Sequence, residues 1–253
     1  MTINNTKSST ELSPVEKQAY IKSELTSFSQ QISTNYFDEV PFKALGKVLI
    51  LPNVFPPNFF IGPELLSKHV ANYLAKFEKQ TKINMLDLGS GSGVQGIVAK
   101  HYHNTFVVGI DINLEAVKCT TLNYYKHDLI SRSTVLNGNL FDGLSASSGH
   151  SFDLIVFNPP FAGFDSEDAL EKATTDPKYK TLQAFFEQVS DYLAATGVIL
   201  LLFSDRGNME KLHSLIQENG FKYSILEQKA SNLILNKASP ISQTFFVYEI
   251  CRV

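Results

Sequence analysis

The chain has 253 residues, 43% of them hydrophobic, and its 22 basic and 25 acidic side chains leave a formal net charge of −3. That length suits one α/β domain with a small appendage, and the charge excludes a global basic field, which lowers nucleic acid among the partners. Cys119 and Cys251 read as small apolar residues in a reducing compartment, no apolar run reaches membrane-span length, and the polar start (Thr2 to Thr10) lacks a signal-peptide core, so a cytoplasmic protein with no membrane partner is expected.

Residues Met1 to Glu11 are rich in Ser, Thr and Asn and predict disorder. Ser13-Pro14-Val15-Glu16 is a helix start, with Ser as N-cap, Pro at N1 and Glu at N3. The helix is predicted to run towards Ser33, either packed on the domain or serving as a lid. A strand is predicted over 47–51. The Pro-rich stretch 52–63 cannot be helix or inner strand and reads as an ordered loop before a helix over 64–77. These features divide the chain into an N-terminal tail and helical extension, 1–46, and a main domain, 47–253.

Ile83 to Leu88 form the first core strand, and Gly89-Ser90-Gly91-Ser92-Gly93 follows as a tight turn. A helix opens at Val94 and is predicted to reach about Tyr102. Glycine supplies the positive φ such a turn needs and lets a ligand approach the backbone. Gly91 to Gly96 fits the G-x-G-x-x-G dinucleotide pattern. Two features argue against a nicotinamide cofactor. Asp87 at the strand end would repel a pyrophosphate but attract an ammonium, and a second motif lies downstream.

A second strand, 106–111, ends in Asp111, about twenty residues past the turn, where a carboxylate can meet a ribose. A helix over 114–125 follows, then a strand over 133–136 leading into Asn137-Gly138-Asn139-Leu140-Phe141-Asp142. The strand 152–157 delivers Asn158-Pro159-Pro160-Phe161 at its carboxyl end. The polar, acidic stretch 162–180 is long for a connection, a mark of function or of a solvated face. A helix over 182–193, a buried strand over 197–203, a helix over 209–218 and a closing antiparallel pair, 221–227 and 244–251, complete the chain. This alternation argues an α/β fold: an open, mostly parallel, Rossmann-like sheet with helices on both faces. The histidines are scattered without metal-ligand spacing, so no metal site is expected.

The glycine turn with Asp87 and Asn158-Pro159-Pro160-Phe161 together resemble the class I S-adenosylmethionine-dependent methyltransferases, and within them the HemK-type protein-glutamine N-methyltransferases. The resemblance covers roughly Lys47 onwards. It implies seven strands with the last antiparallel, and S-adenosyl-L-methionine as cofactor. It also implies that a Pro-containing segment lies over the cofactor, which makes Phe59 and Phe60 candidate covers. Family members often carry an acid and an apolar residue at the adenine. Here the pair is Asn139-Leu140, a departure, with Asp142 as the fallback.

On this reading Asp87, Gly89, Ser90, Gly91 and Gly93 serve the amino-acid tail, with Asp87 favouring the ammonium. Asp111 takes the ribose hydroxyls, or else caps the following helix. Ile112 packs on adenine, and Asn139 and Leu140 bond and flank it. Asn158, at the cofactor as well as in catalysis, and the Pro159 carbonyl each accept one N–H of a target NH₂ group, which positions a delocalised nitrogen for methylation. Pro160 stiffens the loop and Phe161 offers a stacking face. The expected activity is N-methylation of a planar amide or amine, foremost a protein glutamine. Alternative acceptors are a small molecule, or an RNA or DNA base amine. A non-catalytic cofactor-binding partner subunit is the alternative of a different class. Oligomeric state is not readable from the sequence.

Overall fold

Neighbouring residues of the apolar runs go to opposite faces of one sheet. Leu154 and Val156 join one core cluster while Ile155 and Phe157 join another, and Leu200 and Leu202 part in the same way from Leu201 and Phe203. A strand buried on both faces reads as a continuous apolar run, as these do. The structure is a computed structural model that describes residues 38–42, 45–58, 61–102, 104–144, 151–163, 173–233 and 241–253. The helix expected over 13–33, together with Phe59 and Phe60, lies outside the described residues.

The elements run β1 (Asp38–Phe42), β2 (Gly46–Ile50), α1 (Ile61–Leu74), β3 (Ile83–Leu88), α2 (Val94–Val98), β4 (Thr105–Asp111), α3 (Leu114–Lys126), β5 (Ser133–Asn137), β6 (Phe152–Phe157), α4 (Lys180–Gln188), β7 (Leu193–Ser204), α5 (Met209–Glu218), β8 (Phe221–Leu233) and β9 (Ile241–Arg252). The main sheet has seven strands in the order β5-β4-β3-β6-β7-β9-β8. Ladders from β5 through β7 are parallel, and β9 is antiparallel to both β7 and β8. Residues of α1, α2 and α3 pack on one face and those of α4 and α5 on the other. The chain steps outward from β3 to β5, then returns to place β6 against β3. That reversal opens a crevice at the carboxyl ends of β3 and β6, where ligands of such sheets bind.

Several boundaries differ from expectation for local reasons. The helix α1 opens at Ile61 and takes Pro63 into its first turn, where a missing N–H costs nothing. After Val98 the helix tightens into a 3₁₀ turn, Ala99–His101, closed by Tyr102 N–H on the Ala99 carbonyl at 2.9 Å. Strand β7 begins four residues before the expected 197. The β6–β7 register slips between Phe152 and Leu154, and Gly197 sits where an added Cβ would lie 2.7 Å from the Phe152 carbonyl oxygen. Such close backbone approach is tolerated by glycine.

Strands β1 and β2 form a separate antiparallel hairpin that straddles the expected 46/47 division. Val48, Ile50, Leu51 and Val54 bury their side chains with Val94, Ala116 and Cys119. One buried amide fastens this layer. Asn123 of α3 accepts from Leu49 N–H at 2.9 Å and donates to the Leu49 carbonyl at 2.8 Å and the Ser92 carbonyl at 2.9 Å. It therefore ties β2 to the glycine turn. Asn123→Ala would strand these backbone groups in a dry site, each worth roughly 1–3 kcal/mol when unsatisfied. We expect a loss on the order of 3 kcal/mol in urea unfolding; a change under about 0.5 kcal/mol would show that the amide carries no such role.

Candidate active site

The glycine turn is built from three left-handed positions, Gly89 (φ 66°), Gly91 (φ 57°) and Gly93 (φ 78°). A side chain at any of them would be strained. The turn is sewn to the end of β4: Ser90 N–H donates to the Ile110 carbonyl at 3.0 Å and Gly91 N–H to Asp111 Oδ2 at 2.8 Å. From α3, Thr120 Oγ1 donates to the Gly91 carbonyl at 2.9 Å. Gly93 packs inward, where a Cβ would meet the Tyr124 ring at 2.8 Å.

Asp87 is 2% exposed. Its Oδ2 accepts the Gly96 N–H at 3.1 Å. Burial raises its carboxyl from 3.8 to about 7, against the lowering effect of that bond, and the Asp111 charge adds to the rise. The buried Tyr124 hydroxyl makes no hydrogen bond of normal geometry. It lies in the field of Asp87, and burial holds it well above the usual phenol range. Asp111 accepts two backbone N–H groups, Gly91 at 2.8 Å and Asn113 at 2.8 Å. Burial raises its pKa and those two bonds oppose the rise. The N-cap of α3 is Asn113, which accepts from Glu115 N–H, so Asp111 is released from the capping role.

One cavity of about 570 Å³ gathers the sequence-selected residues: Asp87, Gly89, Ser90, Gly91, Asp111, Ile112, Asn139, Leu140, Asn158, Pro159, Pro160 and Phe161 all line it. That volume suits a drug-sized ligand or cofactor. Gly93 and Asp142 are not among its lining residues. Leu140 is held at φ 50°, an uncommon state for a branched residue. Ile112 stands 71% exposed at the rim, an uncovered apolar face for a flat ring.

At the end of β6, no described group hydrogen-bonds the Asn158 side chain or donates to the Pro159 carbonyl. The ring of Phe161 is braced edge-on by Phe203 (6.1 Å between centroids) and Phe245 (6.4 Å). The long connection returns to this point. Ala162 bridges to Thr175, and Thr174 and Thr175 are buried in the cavity wall. Asp176 is 1% exposed and accepts Thr181 and Leu182 N–H at 2.9 Å each, so this acid starts α4 instead of facing solvent. Asp165, Glu167, Asp168 and Glu171 lie outside the described residues.

Sequence reasoning missed several lining residues. Asn53, Val54, Phe55 and Pro57 come from the Pro-rich loop, whose Asn53 carbonyl accepts from Asn113 Nδ2 at 2.8 Å. Gln95 is anchored between Ser67 Oγ and the Pro63 carbonyl. Arg206 from the turn after β7, and Gln243 and Phe245 from β9, also line the cavity. The Pro-rich composition could have pointed to the first group; the others carry no local signal.

These features fit S-adenosylmethionine. One buried and one half-buried carboxylate in the wall suit a ligand carrying an ammonium and a sulfonium, positive-φ glycines allow close backbone approach, and Ile112 and Leu140 offer apolar surface for an adenine.

Comparison with known proteins agrees. Curated relatives include a release factor glutamine methyltransferase of Fusobacterium nucleatum, 32% identical over 73% of this chain and 51% of its own length. A bifunctional methyltransferase of Rickettsia typhi is 34% identical over 46% of this chain and 21% of its own. A ribosomal protein uL3 glutamine methyltransferase of Neisseria gonorrhoeae is 35% identical over 34% and 28%. The chain thus spans about a fifth to a half of these relatives' lengths. Two solved structures share the fold. A SAM-dependent methyltransferase from Agrobacterium tumefaciens matches with a TM-score of 0.59 at 14% identity, over 86% of this chain and 70% of its own. The T. thermophilus 16S rRNA N2 G1207 methyltransferase, in complex with AdoMet and guanosine, matches with a TM-score of 0.58 at 19% identity, over 85% and 50%. The sequence model of the methyltransferase small domain matches residues 48–235, and the chain belongs to that family.

Proposed function

We propose that this chain is an S-adenosylmethionine-dependent N-methyltransferase acting on a planar amide nitrogen, with a protein glutamine side chain as the acceptor. The observation that carries this reading is the pair of acceptors that no described residue occupies, Asn158 Oδ1 and the Pro159 carbonyl, in the same cavity as Asp87 and Asp111. The relatives named as glutamine methyltransferases support the same acceptor class.

The cofactor supplies an electrophilic methyl group on a sulfonium. Asp87 and the turn around Gly89 and Gly91 hold its amino-acid end, Asp111 its ribose, and Ile112, Asn139 and Leu140 its base. An amide nitrogen is a poor nucleophile because its lone pair is delocalised. Asn158 Oδ1 and the Pro159 carbonyl each take one N–H of the acceptor NH₂. That orients the nitrogen and disperses the positive charge developing on it. The two prolines fix the acceptors in advance, and the braced Phe161 ring offers an apolar face to a flat amide.

Purified protein, methyl-labelled S-adenosylmethionine and a cell extract test the acceptor. Label released by protease and not by nuclease is expected; label passing an ultrafilter would make the acceptor a small molecule instead. Asn158→Ala should leave the cofactor Kd within about threefold and lower kcat by roughly 10²-fold or more. Equal loss of binding and turnover would remove the role assigned to Asn158.

The raised Asp87 carboxyl gives a pH dependence with a definite sign. In the folded, unliganded chain it holds its proton up to about pH 7, against 3.8 when unperturbed. The fold therefore binds more protons than the unfolded chain across that window, so this group's contribution to stability falls as pH rises from 4 to 7. A ligand ammonium favours the carboxylate, so binding releases a proton. Calorimetry should show cofactor affinity about tenfold tighter at pH 8 than at pH 6, and Asp87→Asn should flatten that slope. A wild-type Kd that does not change between those values would refute the pairing.

A further inference from the structure

Gln243 lies on β9 and is 1% exposed, yet it lines the cavity. Two residues along the strand, and so on the same side of it, Phe245 meets the ring of Phe161. The register pairs Phe245 with Ser204, which sets Gln243 just beyond the carboxyl end of β7. Strand β7 is the direct neighbour of β6, whose end carries Asn158. Gln243 thus stands at the acceptor end of the cavity, away from the glycine turn.

The orientation of its amide is fixed by its neighbour. Gln243 Nε2 donates to Ser204 Oγ at 2.8 Å. The same oxygen accepts Arg206 N–H at 3.2 Å and turns its proton towards Asp205 Oδ1 at 3.5 Å. With the Ser204 hydroxyl proton directed to Asp205, its lone pairs take the two N–H donors, and the Gln243 nitrogen faces Ser204. The Gln243 oxygen is buried in the cavity wall, and among the described residues nothing donates to it. A buried amide oxygen without a donor costs free energy comparable to a lost hydrogen bond, so a donor supplied by a ligand would be favoured there.

We propose that Gln243 is a specificity-determining residue, whose side-chain oxygen accepts a backbone N–H of the peptide that carries the acceptor glutamine. The inference rests on the glutamine reading above. The two hydrogens of the acceptor NH₂ are already assigned to Asn158 and Pro159. A third acceptor in the same pocket selects a substrate with a further N–H close to the reacting amide. A peptide has one in each flanking backbone unit; a free planar amine does not.

A peptide library with one fixed glutamine and randomised flanks, methylated with labelled cofactor, supplies the best acceptor. That peptide is then resynthesised with each flanking backbone amide replaced in turn by an ester, which removes one N–H. For the wild-type protein, one ester is expected to lower kcat/KM by about tenfold or more. Gln243→Met, similar in shape but without the strong acceptor, should methylate the all-amide peptide about tenfold less well and treat that ester and the amide alike within twofold. Its cofactor Kd should match the wild type, which reports a folded site. A wild type indifferent to every ester overturns the proposal, and this arm needs no variant. An ester penalty of the same size in Gln243→Met also overturns it, because another group then reads that N–H. If no library peptide is methylated, the glutamine reading itself fails and takes this proposal with it; methylated peptides with no Gln243-dependent ester effect overturn the proposal alone.

Discussion

A single carboxylate, Asp111, holds together the two loops at the glycine-turn end of the cavity. One oxygen takes the Gly91 N–H of the glycine turn and the other the Asn113 N–H at the start of α3. The loop after β5 is drawn in as well, because Gly138 N–H and Asn137 Nδ2 both donate to the Asp111 carbonyl. Without these bonds, three chain segments would each have to find their own conformation. Each carboxylate oxygen can accept more than one hydrogen bond, so the bracing leaves capacity for ligand hydroxyls. The same burial that makes the bonds strong also raises the pKa of the group, and the two N–H donors act against that rise.

Asp87 is the contrasting acid. One backbone N–H answers for it where Asp111 has two, and its carboxyl is pushed up to about 7. Such a shift disfavours the ionised form by on the order of 4 kcal/mol. The two acids therefore differ in kind although both sit in the same wall. Asp111 is satisfied by the protein and gives the loops their shape. Asp87 has fewer backbone donors, so its charge is the less compensated by the main chain.

How much of this is legible in the sequence depends on the range of each interaction. Strands β3, β4, β6 and β7 show as apolar runs because they are buried on both faces, while the edge strand β5 is only partly buried and shows weakly, and the parallel sense of all five follows from β-α alternation. The glycine turn and Asn158 to Phe161 show because each is contiguous. Gly93 shares the motif, yet it packs on Tyr124 and Thr120 outside the cavity; spacing alone does not separate a glycine that admits a ligand from one that admits a neighbouring helix. Asp176 reads as one charge in an acidic stretch, but it is buried, with its carboxylate accepting N–H groups of the first turn of α4. Asn123 reads as a polar residue on a helix and in the fold joins β2 to the turn. Arg206 and Gln243 are hardest to find. They lie far along the chain from Asn158, and only the β6-β7-β9 neighbourhood brings them to it.

That neighbourhood also fixes the groups around Asn158 and Phe161. Pro159 is buried, and Phe161 is wedged between rings from β7 and β9. Gly207 lets the next loop close on the Phe161 carbonyl, where a Cβ would come within 2.9 Å. The groups that would hold an acceptor amide are thus backed by strands on two sides. A site built on strand ends loses less freedom on binding than one built on mobile loops, so more of the contact energy is available to the transition state. The glycine-turn end of the cavity is organised by hydrogen bonds among loops and the β7–β9 end by aromatic packing on the sheet. Asn158 and Pro159 follow β6, which pairs with β3 on one side and β7 on the other, and so lie between the two.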